Sequence, residues 1–137
     1  MSESAIPILL VEDDHIDVMN VQRAFKKNNI TNPLYIAFNG VEALNMLKGI
    51  NGKPKLTPTP QIILTDINMP NLDGYGVISA IRGGSVHRNV PILVLTTEST
   101  PHLKARAREA GATGWIVKPF DDAAIVSVVR RVTGAKV

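Results

Sequence analysis

The chain has 137 residues, of which 45% are apolar, 20% are charged and 4% are aromatic, and this composition is typical of one soluble globular domain. It contains no cysteine, which excludes disulfides, thiolate metal sites and cysteine nucleophiles. The net charge is +3 at pH 7, but the basic residues are scattered and the aromatic residues form no stacking pattern, so we expect no direct binding to nucleic acid.

The apolar runs of the chain have the length of strands and are too short to cross a bilayer, so we expect no membrane insertion. The N-terminal segment has no basic stretch followed by a long apolar one, which a secretory signal would require. We therefore expect a cytoplasmic protein. No internal repeat, low-complexity tract or linker divides the chain, and we expect residues 1–137 to form one domain.

Strands and helices are predicted to alternate along the chain. Five apolar runs lack the polar alternation of half-exposed strands, which indicates strands that are covered on both faces. The segments between them carry apolar residues at helical spacing. In chain order the predicted elements are strand 6–11, helix 16–27, strand 34–37, helix 41–48, strand 61–65, helix 75–82, strand 91–96, helix 102–110, strand 115–117 and helix 121–133. The alternation predicts an α/β fold in which right-handed crossovers place helices on both faces of a parallel sheet.

The first and last predicted helices have recognisable starts, and the first has a predicted buried face. Asp14 is placed to cap the first helix, and Asp121–Asp122 to cap the last. The apolar stripe of the first helix, which we expect to face the sheet, consists of Ile16, Met19, Val21, Ala24 and Phe25. The segment 48–60 is rich in Gly, Pro and Lys, so we predict an exposed loop before the third strand.

Side chains that can bind a metal ion or a phosphoryl group follow several of the predicted strands. In a parallel sheet of this kind, ligands bind beyond the carboxyl ends of the strands. The residues at these ends are Glu12, Asp13 and Asp14 after the first strand, Asp66 after the third, Thr96 at the fourth and Lys118 after the fifth. We assign Asp14 to the cap of the first helix, and we expect the fold to bring the other side chains together into one site.

Clustered carboxylates repel one another and gain protons unless a cation lies between them. Mg²⁺ or Mn²⁺ suits such a group, because these ions prefer oxygen ligands. We expect Asp13 and Asp66 to bind the ion directly and Glu12 to bind it through water. The backbone carbonyl of Asn68, two residues beyond Asp66, is a further candidate ligand.

The same arrangement suits phosphoryl transfer. The Asp66 carboxylate can act as the nucleophile. The metal ion, the Lys118 ammonium and the Thr96 hydroxyl would then surround the oxygens of a phosphoryl group on Asp66, which is the electrostatic stabilisation that this transfer needs.

Four segments, "LLVEDD", "LTDINMPNLDGYG", "PILVLTTE" and "GATGWIVKPF", together resemble the receiver domain of two-component response regulators. The resemblance covers about residues 5–133. It implies a flavodoxin-like, doubly wound sheet of five parallel strands in the order 2-1-3-4-5 with five helices. With the long loop before the third strand and no output domain expected, the chain also resembles the small phytochrome-associated response regulators.

The resemblance implies a role for each residue of the site. Asp66 is expected to be the phosphoacceptor, and Glu12 and Asp13 to be the acidic pair that binds Mg²⁺. Thr96 is expected to supply the hydroxyl that responds to phosphorylation. Lys118, followed by a cis proline, is expected to bind the phosphoryl group.

By the same resemblance, we expect the chain to be a stand-alone signalling switch rather than an enzyme with a separate substrate. It would accept a phosphoryl group from the phosphohistidine of a sensor histidine kinase or histidine phosphotransfer protein, and would catalyse its own phosphorylation and dephosphorylation. It would signal to a downstream protein through the face formed by the fourth helix, fifth strand and fifth helix, which could also support a homodimer. The candidate contacts on this face are Lys104, Arg106, Arg108, Trp115, Arg130 and Arg131.

An alternative interpretation is a constitutive interaction module that keeps a receiver-like acidic pocket but is not switched by phosphorylation. The completeness of the chemical set argues against this alternative. The set consists of Glu12, Asp13, Asp66, Thr96 and Lys118.

Two positions depart from the pattern of the family, and two others bear on the lifetime of the phosphoaspartate. Trp115 stands where receivers usually have Tyr, Phe or His. Its indole would either cover the strand or stay outward as an anchor for a partner, which would weaken its coupling to Thr96. Thr97 is bulkier than the residues common at its position and would narrow access to the site. Asn68 and Glu98 occupy positions that tune attack of water on the phosphoaspartate, and their pairing implies relatively rapid self-dephosphorylation.

Overall fold

The computed structural model describes residues 6–68, 73–84, 87–97, 100–119 and 121–133. Strands and helices alternate along these residues, and their bounds lie within two residues of the predicted ones. The elements are β1 Ile8–Val11, α1 His15–Lys27, β2 Leu34–Ala37, α2 Gly40–Lys48, β3 Ile62–Thr65, α3 Gly74–Gly83, β4 Ile92–Thr96, α4 Pro101–Ala110, β5 Gly114–Val117 and α5 Asp122–Thr133. None of the helices in the described part of the chain combines the length and the apolar character needed to cross a bilayer.

The five strands form one parallel sheet in the order β2-β1-β3-β4-β5, which confirms the predicted topology. The order reverses between β1 and β3, because the chain adds β2 on one side of β1 and every later strand on the other. Since all strands point the same way, their carboxyl ends meet at one edge. Folds of this type bind ligands at that edge, next to the point of reversal.

The central strands β1, β3 and β4 are buried on both faces of the sheet, because side chains alternate between the faces along each strand and helices cover both faces. Leu9, Ile63 and Val94 pack on the face that α2, α3 and α4 cover. Leu10 and Leu64 pack on the opposite face, which α1 and α5 cover. This two-sided burial accounts for the continuous apolar runs in the sequence.

The buried face of α1 differs from the predicted one. The buried side chains of this helix are Val18, Val21, Ala24 and Phe25. Ile16 and Met19, however, are 69% and 64% exposed, so the prediction for these two residues was wrong. At about 100° per residue, both lie roughly 150° around the helix from the centre of the buried set. Their exposure leaves two large apolar side chains on the surface of the first turns of α1.

The segment 48–60 is mostly exposed, as predicted, but it is anchored to α2. Leu56 is only 5% exposed, and its backbone N–H donates to the carbonyl of Met46 at 2.9 Å. Lys53 Nζ lies 3.4 Å from Glu42 Oε2. The loop therefore contributes one side chain to the core beside α2, which its composition did not indicate.

Acidic side chains cap the helices that follow β1 and β5. Asp14 Oδ1 accepts from the N–H of Ile16 at 2.8 Å, and Asp121 Oδ1 accepts from the N–H of Ala124 at 2.7 Å. Both caps agree with the predicted helix starts. The Asp14 cap lies three residues beyond β1, so it limits the paths that Glu12 and Asp13 can take.

Arg82 of α3 ties the turn between α4 and β5 to the rest of the fold. Its Nε donates to the carbonyl of Gly111 at 2.9 Å, and its Nη1 donates to the carbonyl of Arg88 at 2.8 Å. Its Nη2 lies 3.3 Å from the hydroxyl of Thr113, which accepts from the N–H of Ile92 at 3.0 Å. One guanidinium therefore orders the chain just before β5.

We expect Arg82→Met to lower the free energy of unfolding by about 2 kcal/mol, because carbonyls that now accept from a charged donor would lose it. Chemical denaturation of the purified variant measures this loss. Arg23→Met, an exposed arginine of α1, is the matched control and should stay within about 0.5 kcal/mol of the parent. Equal destabilisation of the two variants would contradict the assignment.

Candidate functional site

Backbone hydrogen bonds beyond the strand ends hold the predicted site residues at one edge of the sheet. The N–H of Glu12 donates to the last carbonyl of β2 at 2.9 Å, and the N–H of Asp66 donates to the last carbonyl of β1 at 3.0 Å. The N–H of Lys118 donates to the last carbonyl of β4 at 2.7 Å. Because the ladder continues for one residue past each strand, these three side chains leave the same edge from fixed positions.

Glu12, Asp13 and Asp66 form an acidic triad, in which each offers a carboxylate oxygen within 4.8 Å of the others. Glu12 is 1% exposed and Asp66 is also buried, whereas Asp13 is exposed. The structure thus brings together the three side chains that the sequence placed at this edge. Carboxylate oxygens converging from a buried side and an open side have the chemistry of a site for a hard divalent cation.

The turn after β3 presents the Asp66 carboxylate. Its Oδ1 accepts from the N–H of Ile67 at 2.7 Å, while the hydroxyl of Thr65 donates to the Asp66 carbonyl at 2.9 Å. Gly74, the first residue of α3, packs on this turn. A Cβ at position 74 would lie 2.8 Å from Ile67 Cα and closer still to the Asp66 carbonyl oxygen. Glycine is therefore needed for the close approach that supports the turn.

The Lys118 ammonium lies among three carboxylates. Its Nζ is 2.7 Å from Glu12 Oε2, 2.7 Å from Asp17 Oδ2 and 3.5 Å from Asp66 Oδ2. The Lys118 side chain is only 9% exposed. The peptide bond between Lys118 and Pro119 is cis, as the resemblance implied. These contacts link β5 to the ends of β1 and β3 and to the first turn of α1.

Asp17 is the residue of this group that the sequence analysis missed. It lies four residues after Asp13 and three after the cap Asp14, in the first turn of α1. An acidic residue there is usually explained by the helix dipole, so its presence alone did not indicate a place in the site. The signal that could have identified it is its spacing, which puts it one helical turn beyond the acidic pair.

Burial and charge together shift the pKa values of the site. Burial raises the pKa of Glu12 to about 7, and the nearby Asp66 charge adds to this effect while the Lys118 hydrogen bond opposes it. Burial also raises the pKa of Asp66, against the opposing effects of Lys118 and of the backbone N–H groups of Ile67 and Asn68. For Lys118, burial alone would lower the pKa, but hydrogen bonds to Asp17 and Glu12 raise it above its ordinary value. The site therefore combines a firmly charged ammonium with an excess of carboxylate that protons or a cation can neutralise.

The remaining residues predicted near the phosphoryl group lie in different environments. Thr96 is fully buried at the end of β4, while Thr97 and Asn68 are exposed. Coordination of a metal ion by the Asn68 carbonyl stays a prediction. Glu98 lies outside the described residues.

Trp115 and two of the basic residues predicted as partner contacts lie together. Trp115 is half-buried and packs against the core on the α4 side of the sheet. With the exposed Lys104 and Arg108, it lines a pocket of about 90 Å³. Arg106 instead places its guanidinium carbon 4.0 Å from the centre of the Tyr75 ring, a cation–π contact that joins α4 to α3.

The two arginines near the end of α5 also lie in different environments. Arg130 Nη2 donates to the carbonyl of Asn28 at 2.8 Å, so this side chain joins α5 to the end of α1. Arg131 is exposed. Of this pair, Arg131 is therefore the one whose side chain is more accessible to a partner.

The fold and the acidic edge agree with what comparison with known sequences finds. The sequence model of the family described as "Response regulator receiver domain" matches residues 8–130. The chain therefore belongs to this family, and the resemblance found in its motifs is confirmed. Membership places the chain among the domains of two-component signalling.

Individual relatives give the same result. The chain is 36% identical over 100 residues to response regulator Rcp1 of Synechocystis sp., an alignment that covers 71% of this chain and 67% of Rcp1. It is 35% identical over 130 residues to sensor histidine kinase CheAY of Helicobacter pylori, which covers 95% of this chain but only 15% of the kinase. The chain thus spans a small part of the length of that relative. Among solved structures, the bacteriophytochrome response regulator AtBRR matches with a TM-score of 0.78 and 27% identity, over 97% of this chain and 95% of AtBRR.

The raised pKa of Glu12 predicts a pH dependence of stability in metal-free buffer. The folded protein holds this proton more tightly than the unfolded chain, whose carboxyl titrates near 4.5. The stability that Glu12 contributes is therefore complete below about pH 4.5 and is lost as the pH rises through about 7. This loss is at most about 3 kcal/mol.

The free energy of unfolding of wild type and Glu12→Gln, measured by denaturation at pH 5 and pH 8, tests this dependence. The wild type should lose more stability between the two pH values than the variant, because a neutral amide has no proton to release. Parallel losses in the two proteins would contradict the assignment to Glu12.

Proposed function

We propose that this receiver is a phosphorylation-switched signalling protein that accepts a phosphoryl group on Asp66. The donor would be the phosphohistidine of a sensor histidine kinase or of a histidine phosphotransfer protein, and the reaction would take place in the cytoplasm. One observation carries the proposal: the acidic triad has its carboxylate oxygens within 4.8 Å of one another, with the Lys118 ammonium 3.5 Å from Asp66 Oδ2. The Asp66 carboxylate would then act as the nucleophile, beside the other metal ligands and a fixed cation.

The transfer itself exchanges one bond for another. An Asp66 carboxylate oxygen forms a bond to phosphorus while the phosphorus–nitrogen bond of the donor breaks, and the electron pair of that bond leaves with the imidazole nitrogen. The Lys118 ammonium can neutralise the charge on the transferred oxygens without a proton transfer. Attack of water on phosphorus later restores the carboxylate and releases inorganic phosphate.

The donor set of the acidic triad fits Mg²⁺ or Mn²⁺, because it consists of carboxylate oxygens with one open side. Asp13 and Asp66 would bind the ion directly, Glu12 through water, and the Asn68 carbonyl would complete the protein ligands. When bound, the ion supplies positive charge to the phosphoryl oxygens. Burial raises the pKa values of Glu12 and Asp66, and a bound cation would favour the ionised form of both carboxyls.

A surface beside the site can receive the donor protein. Ile16 and Met19 lie in the first turns of α1, close in sequence to Glu12 and Asp13, and both are largely exposed. Large apolar side chains in such a position support protein docking, because binding would remove them from water. We propose that the phosphodonor covers these two residues while it reaches Asp66.

The output would be read at the face formed by α4, β5 and α5. Phosphorylation would shift an equilibrium between two arrangements of this face. Trp115, with Lys104 and Arg108 beside it, offers an aromatic surface and positive charge to a downstream protein or to a second copy of the chain. Lys118 and Trp115 lie on β5 or directly after it, so the element that would bind the phosphoryl group also carries the proposed contact.

Acetyl phosphate with Mg²⁺ should add one phosphoryl group to the wild type, because Asp66 is the nucleophile in this account. Intact-protein mass spectrometry measures the addition, and beryllofluoride with Mg²⁺ should change the fluorescence of Trp115. Asp66→Asn should abolish both signals. Asp121→Asn, the same change at the helix cap after β5, is the control and should retain them.

Chelation of divalent cations by EDTA should reduce the labelling of Asp66 to background, since the acidic triad would lose its ion. Labelling that survives chelation would refute the role given to Glu12 and Asp13. Absence of any modification in the wild type would favour the alternative, a constitutive interaction module that phosphorylation does not switch.

A further inference from the structure

We propose that Asp17 is a positioning residue that keeps the Lys118 ammonium in the site when a divalent cation binds Glu12. The inference rests on the proposed function, because it concerns how a metal ion and the lysine share one set of carboxylates. It adds a fourth carboxylate to the site, with a task different from those of the acidic triad.

The contacts of Lys118 indicate this task. Its Nζ is equally close to Glu12 and Asp17, at 2.7 Å from each, and is farther from Asp66, at 3.5 Å. An ammonium has three donors, so it can satisfy Glu12 and Asp17 together and still face Asp66. Because the Lys118 side chain is 9% exposed, water can replace a lost carboxylate only in part.

Glu12 is the point of competition between the lysine and a metal ion. Its Oε1 accepts from the N–H of Asp14 at 3.1 Å, and its Oε2 accepts from Lys118. A cation among Glu12, Asp13 and Asp66 would therefore draw on a carboxylate that Lys118 already uses. Among the described residues, the group that could hold a metal consists of these three and does not include Asp17. Asp17 thus stays available to accept from Lys118 after the ion binds.

Asp17 could lie in the first turn of α1 only because the helix dipole favours an acidic residue there, but this does not explain its contact with Lys118. The helix dipole favours any carboxylate in the first turn, exposed ones included. Asp17 instead contacts a lysine 101 residues away in the chain, and its side chain is 27% exposed. Its carboxylate is therefore directed into the site rather than into solvent.

The test compares Mg²⁺ binding to wild type, Asp17→Asn, Asp17→Glu and Asp14→Asn by calorimetric titration. Without the Asp17 carboxylate, Lys118 depends on Glu12 and Asp66 and competes with the ion, so we expect Asp17→Asn to weaken Mg²⁺ binding about tenfold, the equivalent of one charge-assisted hydrogen bond. Asp17→Glu should restore binding to within about threefold. Asp14→Asn removes the same charge from the same helical turn while retaining a capping side chain, and should bind nearly as wild type does.

A spectroscopic measurement distinguishes positioning from a general loss of charge. With Mg²⁺ at saturation, the ¹⁵N-labelled ammonium of Lys118 should stay protected from exchange with water in wild type and in Asp14→Asn. It should lose this protection in Asp17→Asn. Thermal unfolding of each variant verifies that the fold is retained.

The outcomes separate this inference from the proposed function. If wild type binds Mg²⁺ and Asp17→Asn binds it equally well with a protected ammonium, the role of Asp17 is refuted while the phosphoacceptor proposal stands. If wild type binds no Mg²⁺, both are refuted.

Discussion

The rest of the site depends on the ion pairs that the Lys118 ammonium forms with three carboxylates. The ammonium reaches from the end of β5 across β4 and contacts carboxylates from the end of β1, the first turn of α1 and the end of β3. Carboxylates this close could not all remain ionised in a buried setting without a cation between them. Removing one partner of such a buried ion pair typically costs on the order of 3–5 kcal/mol, because the remaining charge is left without compensation. The contacts of Lys118 therefore stabilise the carboxyl edge of the sheet and also set the charge of the candidate site.

The single positive charge of Lys118 does not balance the negative charges of the carboxylates around it, and this excess of negative charge bears on the proposed function. Burial raises the pKa of Glu12 to about 7 and also raises the pKa of Asp66, so both carboxyls take up protons more readily than free side chains do. A divalent ion would relieve the repulsion that the fold creates. A phosphoryl group on Asp66 would then enter a region where positive charge is already in place, which costs no reorganisation at the moment of transfer. The fold thus concentrates negative charge at the position where, in the proposed function, the ion and the phosphoryl group would bind.

Most of the fold and the acidic triad could be predicted because they follow from short patterns with one physical meaning. Continuous apolar runs indicated buried parallel strands, and parallel strands bring Glu12, Asp66 and Lys118 to one edge whatever the details of packing. The features that were missed depend on the rotation and docking of helices. The stripe through Ile16 and Met19 was compatible with helical spacing, but the sheet buries a different arc of α1. Asp17 faces Lys118 because of that same rotation, and only its spacing from the acidic pair could have indicated it.

The central claim is that the carboxyl edge of the sheet works as one site, in which Asp66 receives a phosphoryl group between a divalent ion and Lys118. A crystal structure of the protein with Mg²⁺ and beryllofluoride tests this claim most directly. We predict beryllium bound to a carboxylate oxygen of Asp66, Mg²⁺ among Glu12, Asp13 and Asp66, and Lys118 Nζ within hydrogen-bonding distance of a fluorine. Beryllofluoride on another residue, or Mg²⁺ outside the acidic triad, would contradict it.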